Sequence, residues 1–407
     1  MPRISPLLII VLIASAAAPW VIYGAGFWDI VMTTLDHCPE MACDFKRHYL
    51  PQAHLVADGI DKLMPAWFYP PALALFLQPL VYVDSPIYWW TAFNIATAGG
   101  MAWLIARVIH TAPTIEHYTV GLALVMTSLP IWHSIKWGQI SLLLCLLMCL
   151  GLTFMSRRGS VLIGVAAAIK GYPVLAVLLP LIQRRAPLVV WTLGTAALVG
   201  VMIPLAWMGF DAVVLYFEQM NRAGSMLLER APQLGGQALL PSLKRWFSPG
   251  AYVHPQLHPL DYPLIFPLTE TQFTVSWALS FIIISGASLR ALLRVGLPHK
   301  LKVAVFLCWM SLMLPPGWHH YFSFLPLAMA IVWFSSELIV PRTLVSAAFG
   351  VGLLPLMGIG NNFMAYFDYS ALGGTTVVCM LTLFAGIWVS ASFPDTIGKA
   401  SQMPVSP

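Results

Sequence analysis

The chain has 407 residues, of which 59% are hydrophobic and only 9% are charged, and its mean hydropathy is +0.80. Soluble globular proteins are roughly 45–50% apolar and about 25% charged, because a soluble surface needs charge. This composition excludes a soluble enzyme, a disordered protein and a nucleic-acid-binding module. It predicts an all-α polytopic membrane protein. The net charge of +5 is better explained by membrane orientation than by nucleic-acid binding.

Apolar stretches recur along the whole chain, and each bilayer crossing needs about 20 apolar residues. We predict one integral membrane domain over residues 1–407 with about twelve spans, of which one or two could be re-entrant. The predicted spans are 7–28, 68–83, 87–106, 118–133, 138–155, 160–182, 187–208, 273–289, 303–316, 320–336, 343–360 and 374–393. The first is predicted to be an uncleaved signal anchor.

Two longer segments separate the spans, a first loop at 29–67 and a large loop at 209–272. The basic residues that follow the large loop fall on the side that holds both termini: Arg290, Arg294, Lys300, Lys302, Arg342 and Lys399. Because positive residues stay in the cytoplasm, we predict cytoplasmic termini, two extracytoplasmic loops and a location in the cell (inner or plasma) membrane. Arg107, Arg157 and Arg158 violate the rule, so either one segment between 68 and 182 is re-entrant or the rule is overridden there.

The first loop contains a predicted amphipathic helix. Apolar residues recur at helical spacing from Phe45 to Ile60, and Gly59 marks the predicted end, so we expect the helix to lie on the membrane surface. Asp44 at its start is open to two interpretations. It is a helix N-cap, which aspartate makes well and which the local sequence favours, or it is a general base beside the membrane.

Other residues of this loop lie near Asp44 in the sequence. Asp58 and Asp61 are competing carboxylates, and we expect them to be solvated. Cys38 and Cys43 could form a disulfide in an oxidising compartment. The remaining cysteines lie in apolar runs and are predicted to be packing residues.

Polar residues at span boundaries are further candidates. Trp67 and Phe68 fit the aromatic belt of a membrane interface, and Tyr69 beside them is a candidate ligand-binding hydroxyl. Gln139 opens the fifth predicted span, where its amide needs a partner, and the local sequence favours a structural one.

Lys170 is the only Lys or Arg that falls within a predicted span. A charge there is costly and is by default a functional hypothesis. Gly171 and Pro173 are predicted to break the helix, which would expose the ammonium as a phosphate site. The alternative is a lysine that extends its ammonium to the membrane interface.

His319 and His320 join two predicted spans on the outer side, after two prolines. Adjacent residues of a helix point in different directions, so a metal pair is not expected. Their imidazoles are candidates to bind an acceptor hydroxyl or a phosphate oxygen. The large loop is either a substrate lid or an ordered surface cap, and the sequence leaves both open.

Taken in order, these segments resemble glycosyltransferase family 87, a family of membrane enzymes of the GT-C class. The matching positions are Asp44 with Tyr49, Tyr69-Pro70-Pro71, Gly138-Gln139, Lys170-Gly171-Tyr172-Pro173, Gly236-Gln237-Ala238-Leu239 and His319-His320-Tyr321. The resemblance covers most of residues 40–330, and Gly236 and Ala238 depart from the usual Asn and Ser of the family pattern.

The resemblance implies a GT-C fold and an inverting hexosyltransferase that acts outside the cell. Its donor would be a polyprenyl-phosphate sugar within the membrane lipids, with mannose as the expected sugar, and its acceptor a lipid-linked molecule or glycan. Asp44 matches the general base, and His319, His320, Lys170, Gln139 and Tyr69 are the expected substrate or donor-phosphate ligands. No cofactor is expected, because the lipid-phosphate sugar is itself a substrate. The sequence assigns no metal ligands, since no acidic cluster has an obvious ligand spacing, and it leaves metal dependence open.

The alternative hypothesis is a transporter or flippase of lipid-linked sugars, which would bind phosphate at Lys170 without chemistry. A purely structural subunit leaves Lys170 and the paired histidines unexplained.

Overall fold

The computed structural model describes residues 4–23, 41–59, 64, 67, 69–229, 236–247, 266–314, 317–356 and 372–393. Within these ranges the chain is helical. Up to the large loop the helices are α1 (Pro6–Tyr23), α2 (Leu50–Ala57), α3 (Pro71–Leu77), α4 (Pro86–Ile109), α5 (Ile115–Met126), α6 (Leu129–Trp137), α7 (Ser141–Phe154), α8 (Arg157–Ile169), α9 (Leu178–Ile182), α10 (Ala186–Ala197) and α11 (Ile203–Met208).

The later helices are α12 (Phe210–Glu229), α13 (Leu239–Phe247), α14 (Glu270–Leu293), α15 (His299–Met313), α16 (Leu325–Ser335), α17 (Ile339–Leu353) and α18 (Gly374–Ser392). Short 3-10 turns cover Gln78–Tyr82, Tyr172–Val177 and His319–Phe322, and π turns cover Phe45–Tyr49 and Leu198–Met202. β-Pairing in the described ranges is limited to an isolated antiparallel bridge between Gly236 and Trp318.

Helix length tests the predicted spans. Among the residues that the structure describes, four helical stretches are long and apolar enough to cross a bilayer: Pro86–Ile109, Ala186–Met208, Glu270–Leu293 and Gly374–Ser392. The pair α5 and α6, bent by 66°, makes a fifth as a broken span or a re-entrant loop. Large apolar side chains such as Val190 and Trp207 are exposed, as expected where helices face lipid. An all-α membrane protein is confirmed, whereas twelve spans are not, because several predicted spans fold as shorter helices.

The predicted amphipathic helix of the first loop is present as the π turn Phe45–Tyr49 followed by α2, and Gly59 with φ +70° follows its end. Its apolar face does not lie against lipid, as a helix on the membrane surface would require. Phe45, Tyr49 and Ala53 have no exposed surface, because this face packs inside the protein against other aromatic rings. We call Phe45, Tyr49, Trp67, Tyr69, Trp90 and Tyr216 the aromatic cluster, since their side chains are buried together in a compact group.

Candidate active site

Asp44 has helical backbone angles (φ −66°, ψ −34°) and makes no side-chain cap hydrogen bond. The helix-cap interpretation is therefore not supported. Its carboxylate instead accepts a hydrogen bond from the Gln139 side-chain amide. Among the acidic residues whose exposure is described, Asp44 alone is half-buried, and the others are exposed: Asp58, Asp84, Glu116, Asp211, Glu218, Glu270 and Glu337. Asp61, the other predicted competitor, lies outside the described residues.

A chain of hydrogen bonds connects Asp44 to two tyrosines. The hydroxyl of Tyr49 donates to Gln139 Oε1 at 3.0 Å and lies 2.7 Å from the hydroxyl of Tyr69. Burial, followed by the neighbouring Tyr69 and the charge of Asp44, raises the pKa of Tyr49 well above its usual range. Tyr49 therefore stays protonated, and through Gln139 it fixes the orientation of the Asp44 carboxylate.

Lys170 lies on the other side of Tyr69. Its Nζ is 4.9 Å from the ring centroid of Tyr69 and 4.6 Å from that of Tyr321, and it donates to Ser141 Oγ at 3.2 Å. The side chain is 9% exposed, so a lysine that extends its ammonium to water is contradicted. Tyr69 contacts both this ammonium and the hydroxyl of Tyr49. The lysine is therefore linked to Asp44 through two tyrosines and the Gln139 side-chain amide.

The backbone around Lys170 explains why a lysine can occupy this position. Helix α8 ends at Ile169, Lys170 is extended (φ −152°, ψ 121°), and the chain continues as a 3-10 turn. The predicted break at Gly171 and Pro173 is confirmed. The lysine therefore leaves the helix and reaches the two tyrosine rings.

His319 and His320 point to different neighbours, as the sequence predicts. His319 Nδ1 hydrogen-bonds Thr375 Oγ1 at 2.8 Å, at the start of α18. The ring of His320 lies edge-on to Tyr321, with centroids 4.8 Å apart, and the same tyrosine ring faces the Lys170 ammonium. His320 and Lys170 therefore contact the same tyrosine, whereas His319 bonds to Thr375.

Sequence reasoning missed three buried basic side chains near the histidine pair: His133, Lys136 and Arg245, which are 4%, 1% and 3% exposed. The ring of His133 lies 5.4 Å from that of His319 and 5.7 Å from that of His320. The position of Lys136 between two apolar runs was an available signal, but a lysine at a span boundary is ordinarily solvated.

The described part of the large loop is ordered and contacts the same region. Gly236 pairs with Trp318, directly before the histidine pair. Arg245 Nη1 donates to the Gly236 carbonyl at 2.5 Å, and Thr376 Oγ1 donates to the Gln237 carbonyl at 2.5 Å. These contacts bring residues 236–239 of the family pattern beside His319.

The contact between Asp44 and Gln139 corrects the predicted topology. The Ala42 amide also donates to the Lys136 carbonyl at 2.7 Å. Twelve consecutive spans would put the first loop and the turn before Gln139 on opposite sides of the membrane, which these contacts contradict. The physical reason is α3, a 7-residue helix that is too short to cross a bilayer. Apolar composition alone does not distinguish such a helix from a span.

Gly138 lies where these two segments touch. Its φ is +64°, and a Cβ there would lie 2.9 Å from Ala42 Cα and 3.1 Å from Phe45 Cβ. We expect Gly138→Ala to be destabilising, because the added Cβ is strained at positive φ and would displace the Asp44 segment. The thermal unfolding midpoint in lipid nanodiscs should fall by at least ~2–4 °C.

Gly99→Ala is the matched control for this change, since a Cβ at Gly99 meets nothing within 4 Å. Its unfolding midpoint should stay close to that of the unmutated protein. Equal midpoints for Gly138→Ala and Gly99→Ala would contradict the close approach of the two segments.

Three further predictions concern cysteines, metals and Trp67. Cys43 is disulfide-bonded, whereas Cys38 and Phe68 lie outside the described residues. The four cysteines of the apolar runs are free and buried, as predicted for packing residues.

No group of three His, Cys, Asp or Glu side chains in the described ranges is arranged to hold a metal ion. Trp67 is 1% exposed, so its predicted place in a lipid-facing aromatic belt is wrong.

The fold and the site define an integral membrane protein in which a half-buried carboxylate and a buried lysine ammonium are linked by one polar network. The family model of glycosyltransferase family 87 matches residues 67–316, more than half of the chain. The chain belongs to this family and is therefore a membrane glycosyltransferase, with a sugar donor and an acceptor as substrates. No curated protein and no solved structure matches the chain. The match includes Tyr69, Gln139 and Lys170, whereas Asp44 and the histidine pair lie outside it.

Proposed function

We propose that the protein transfers mannose from a polyprenyl-phosphate donor to a lipid-linked or glycan acceptor on the extracytoplasmic side, with inversion at the anomeric carbon. The observation that carries this proposal is the convergence of Asp44 and Lys170 on one polar group. Such a group supplies a base for a hydroxyl and a cation for a phosphate, which are the two charges that this reaction needs.

The reaction is a single displacement. The acceptor oxygen attacks the anomeric carbon, the bond from that carbon to the phosphate oxygen breaks, and the lipid phosphate leaves as an anion. Asp44 takes the acceptor proton as general base. No strong acid is required, because the leaving phosphate is already stable as an anion. One displacement by one nucleophile inverts the configuration.

The remaining site residues have distinct roles in this proposal. Lys170 and His320 bind the donor phosphate, and His319, held by Thr375, supports His320 from behind. Tyr69 and Gln139 orient the ammonium and the carboxylate through the contacts described above. No cofactor or metal takes part.

The charge pattern supports an outward-facing site. If α3 stays on the outer side, then α4 runs inward, and Arg107, Arg157 and Arg158 become cytoplasmic, in agreement with the positive-inside rule. The break at Lys170 divides the predicted span 160–182 into two short arms, which we propose enter and leave the membrane on the same side. The loss of α3 as a crossing is thereby balanced by the loss of this one, and the large loop remains outside. The disulfide at Cys43 agrees with this orientation, because disulfides persist in oxidising compartments.

The test is a transfer assay with the purified protein in lipid vesicles. Radiolabelled polyprenyl-phosphate-mannose is supplied with a crude lipid and glycan extract, beside glucose and arabinose donors. We expect label from the mannosyl donor to appear in a new product with inverted linkage. Label that crosses the vesicle bilayer without a new product would instead indicate a flippase, and transfer from another donor alone would change the sugar.

A further inference from the structure

Trp67 carries a buried polar group without a partner. Its side chain is 1% exposed, and its indole N–H has no hydrogen-bond acceptor in the described structure. Buried polar groups are nearly always hydrogen-bonded, so an exception calls for an explanation. An indole N–H can only donate. The missing partner is therefore an acceptor atom, such as the oxygen of a ligand.

The surroundings of Trp67 indicate which ligand this is. Its ring centroid lies 5.2 Å from that of Tyr69 and 6.3 Å from that of Tyr49. Tyr69 also faces the Lys170 ammonium, and Tyr49 leads through Gln139 to Asp44. Trp67 is thus separated from the Lys170 ammonium by one ring, and from the Asp44 carboxylate by one ring and the Gln139 amide. A sugar has a C–H face that packs on aromatic rings and hydroxyl oxygens that accept an N–H.

We propose that Trp67 is a sugar-recognition residue, whose N–H donates to a hydroxyl or ring oxygen of a sugar bound beside Lys170 and Asp44. This inference rests on the proposed function and deepens it. The sugar is either the transferred residue of the donor or the terminal residue of a saccharide acceptor. A site that hydrogen-bonds a hydroxyl discriminates strongly against the analogue that lacks it. Trp67 therefore contributes to sugar specificity.

The test uses Trp67→Phe, which keeps an aromatic ring and removes the N–H. Transfer rates are measured with monodeoxy versions of polyprenyl-phosphate-mannose and of a hexyl mannoside acceptor. We expect the variant to lower kcat/KM for the parent sugars by about tenfold, the loss of one hydrogen bond. The unmutated protein should discriminate against one monodeoxy sugar, and Trp67→Phe should remove that discrimination. If the discrimination is lost for the monodeoxy donor, Trp67 binds the transferred sugar. If it is lost for the monodeoxy acceptor, Trp67 binds the terminal sugar of the acceptor.

Trp90→Phe is the matched control. Trp90 belongs to the same aromatic cluster and is 2% exposed, but its N–H donates to the Gly138 carbonyl at 2.7 Å. Trp90→Phe should therefore lower the thermal unfolding midpoint more than Trp67→Phe does, because only Trp90 loses an internal hydrogen bond. Its discrimination among monodeoxy sugars should match that of the unmutated protein.

Two results would overturn the inference. In the first, Trp67→Phe still discriminates against the same monodeoxy sugar as the unmutated protein. In the second, Trp67→Phe lowers the thermal unfolding midpoint as much as Trp90→Phe does. Failure of the proposed function is a separate outcome, recognised by the absence of mannose transfer with the unmutated protein. Calorimetric binding of the hexyl glycosides does not depend on turnover. Equal binding of the hexyl glycosides, and equal binding of polyprenyl-phosphate-mannose, by the unmutated protein and Trp67→Phe would together reject the role of Trp67.

Discussion

Asp44→Asn should lower kcat for sugar transfer by about 10²–10⁴-fold, which is the usual contribution of a general base. Asparagine has nearly the same shape and still accepts the hydrogen bond from Gln139, so the local structure should be retained. It cannot take a proton from the acceptor hydroxyl. Initial rates with radiolabelled donor give kcat, and equilibrium binding of the same donor should change little, because Lys170 is intact.

Asp58→Asn is the control for this prediction. It makes the same chemical change on an exposed residue that follows α2. Its transfer rate should equal that of the unmutated protein. Retained turnover in Asp44→Asn, or an equal loss in both variants, would remove Asp44 from the role of base.

Lys170→Met should lower kcat/KM for the donor by about 10²–10³-fold, the range seen when one stabilising donor is removed from an active site. Methionine keeps an unbranched chain against the rings of Tyr69 and Tyr321, so folding should be retained. The variant lacks the charge that stabilises the leaving phosphate in the proposed reaction. We expect the affinity for polyprenyl phosphate without a sugar to fall as well, and equilibrium binding measures this directly.

Two further variants separate charge from geometry at this position. Lys170→Arg keeps the charge, but the planar guanidinium does not reproduce a compact ammonium between two rings. Its kcat/KM for the donor should therefore lie between those of Lys170→Met and the unmutated protein. Lys300→Met removes a lysine near the start of α15, on the predicted cytoplasmic side, and should have no effect on the rate. Full activity of Lys170→Met would show that the donor phosphate is stabilised elsewhere.

Local patterns in the sequence predicted the elements that local physics determines. The spacing of Phe45, Tyr49 and Ala53 predicted a helix, and Gly171 with Pro173 predicted the break beside Lys170. Both features depend on neighbouring residues alone. The predicted environment of that apolar face was wrong, because the sequence pattern is the same whether the face packs against lipid or against Trp90.

Local sequence patterns did not predict the contacts between distant segments. Asp44 and Gln139 meet because α3 stays short and Gly138 permits a close approach, which depends on three separate parts of the chain. The family resemblance assembled the correct segments but gave no geometry. It also omitted His133 and Arg245, whose burial results from the docking of α6 and α13.

The position of Lys170 between two tyrosine rings has a consequence for biogenesis. Tyr69 precedes Lys170 in the chain, but Tyr321 follows α15 and emerges from the ribosome much later. During insertion the ammonium therefore has only one of its two rings, together with Ser141, in an apolar environment. The proposed phosphate-binding group is complete only after Tyr321 has been synthesised and has packed against Lys170. A chain that ends before Tyr321 consequently lacks one side of the proposed site.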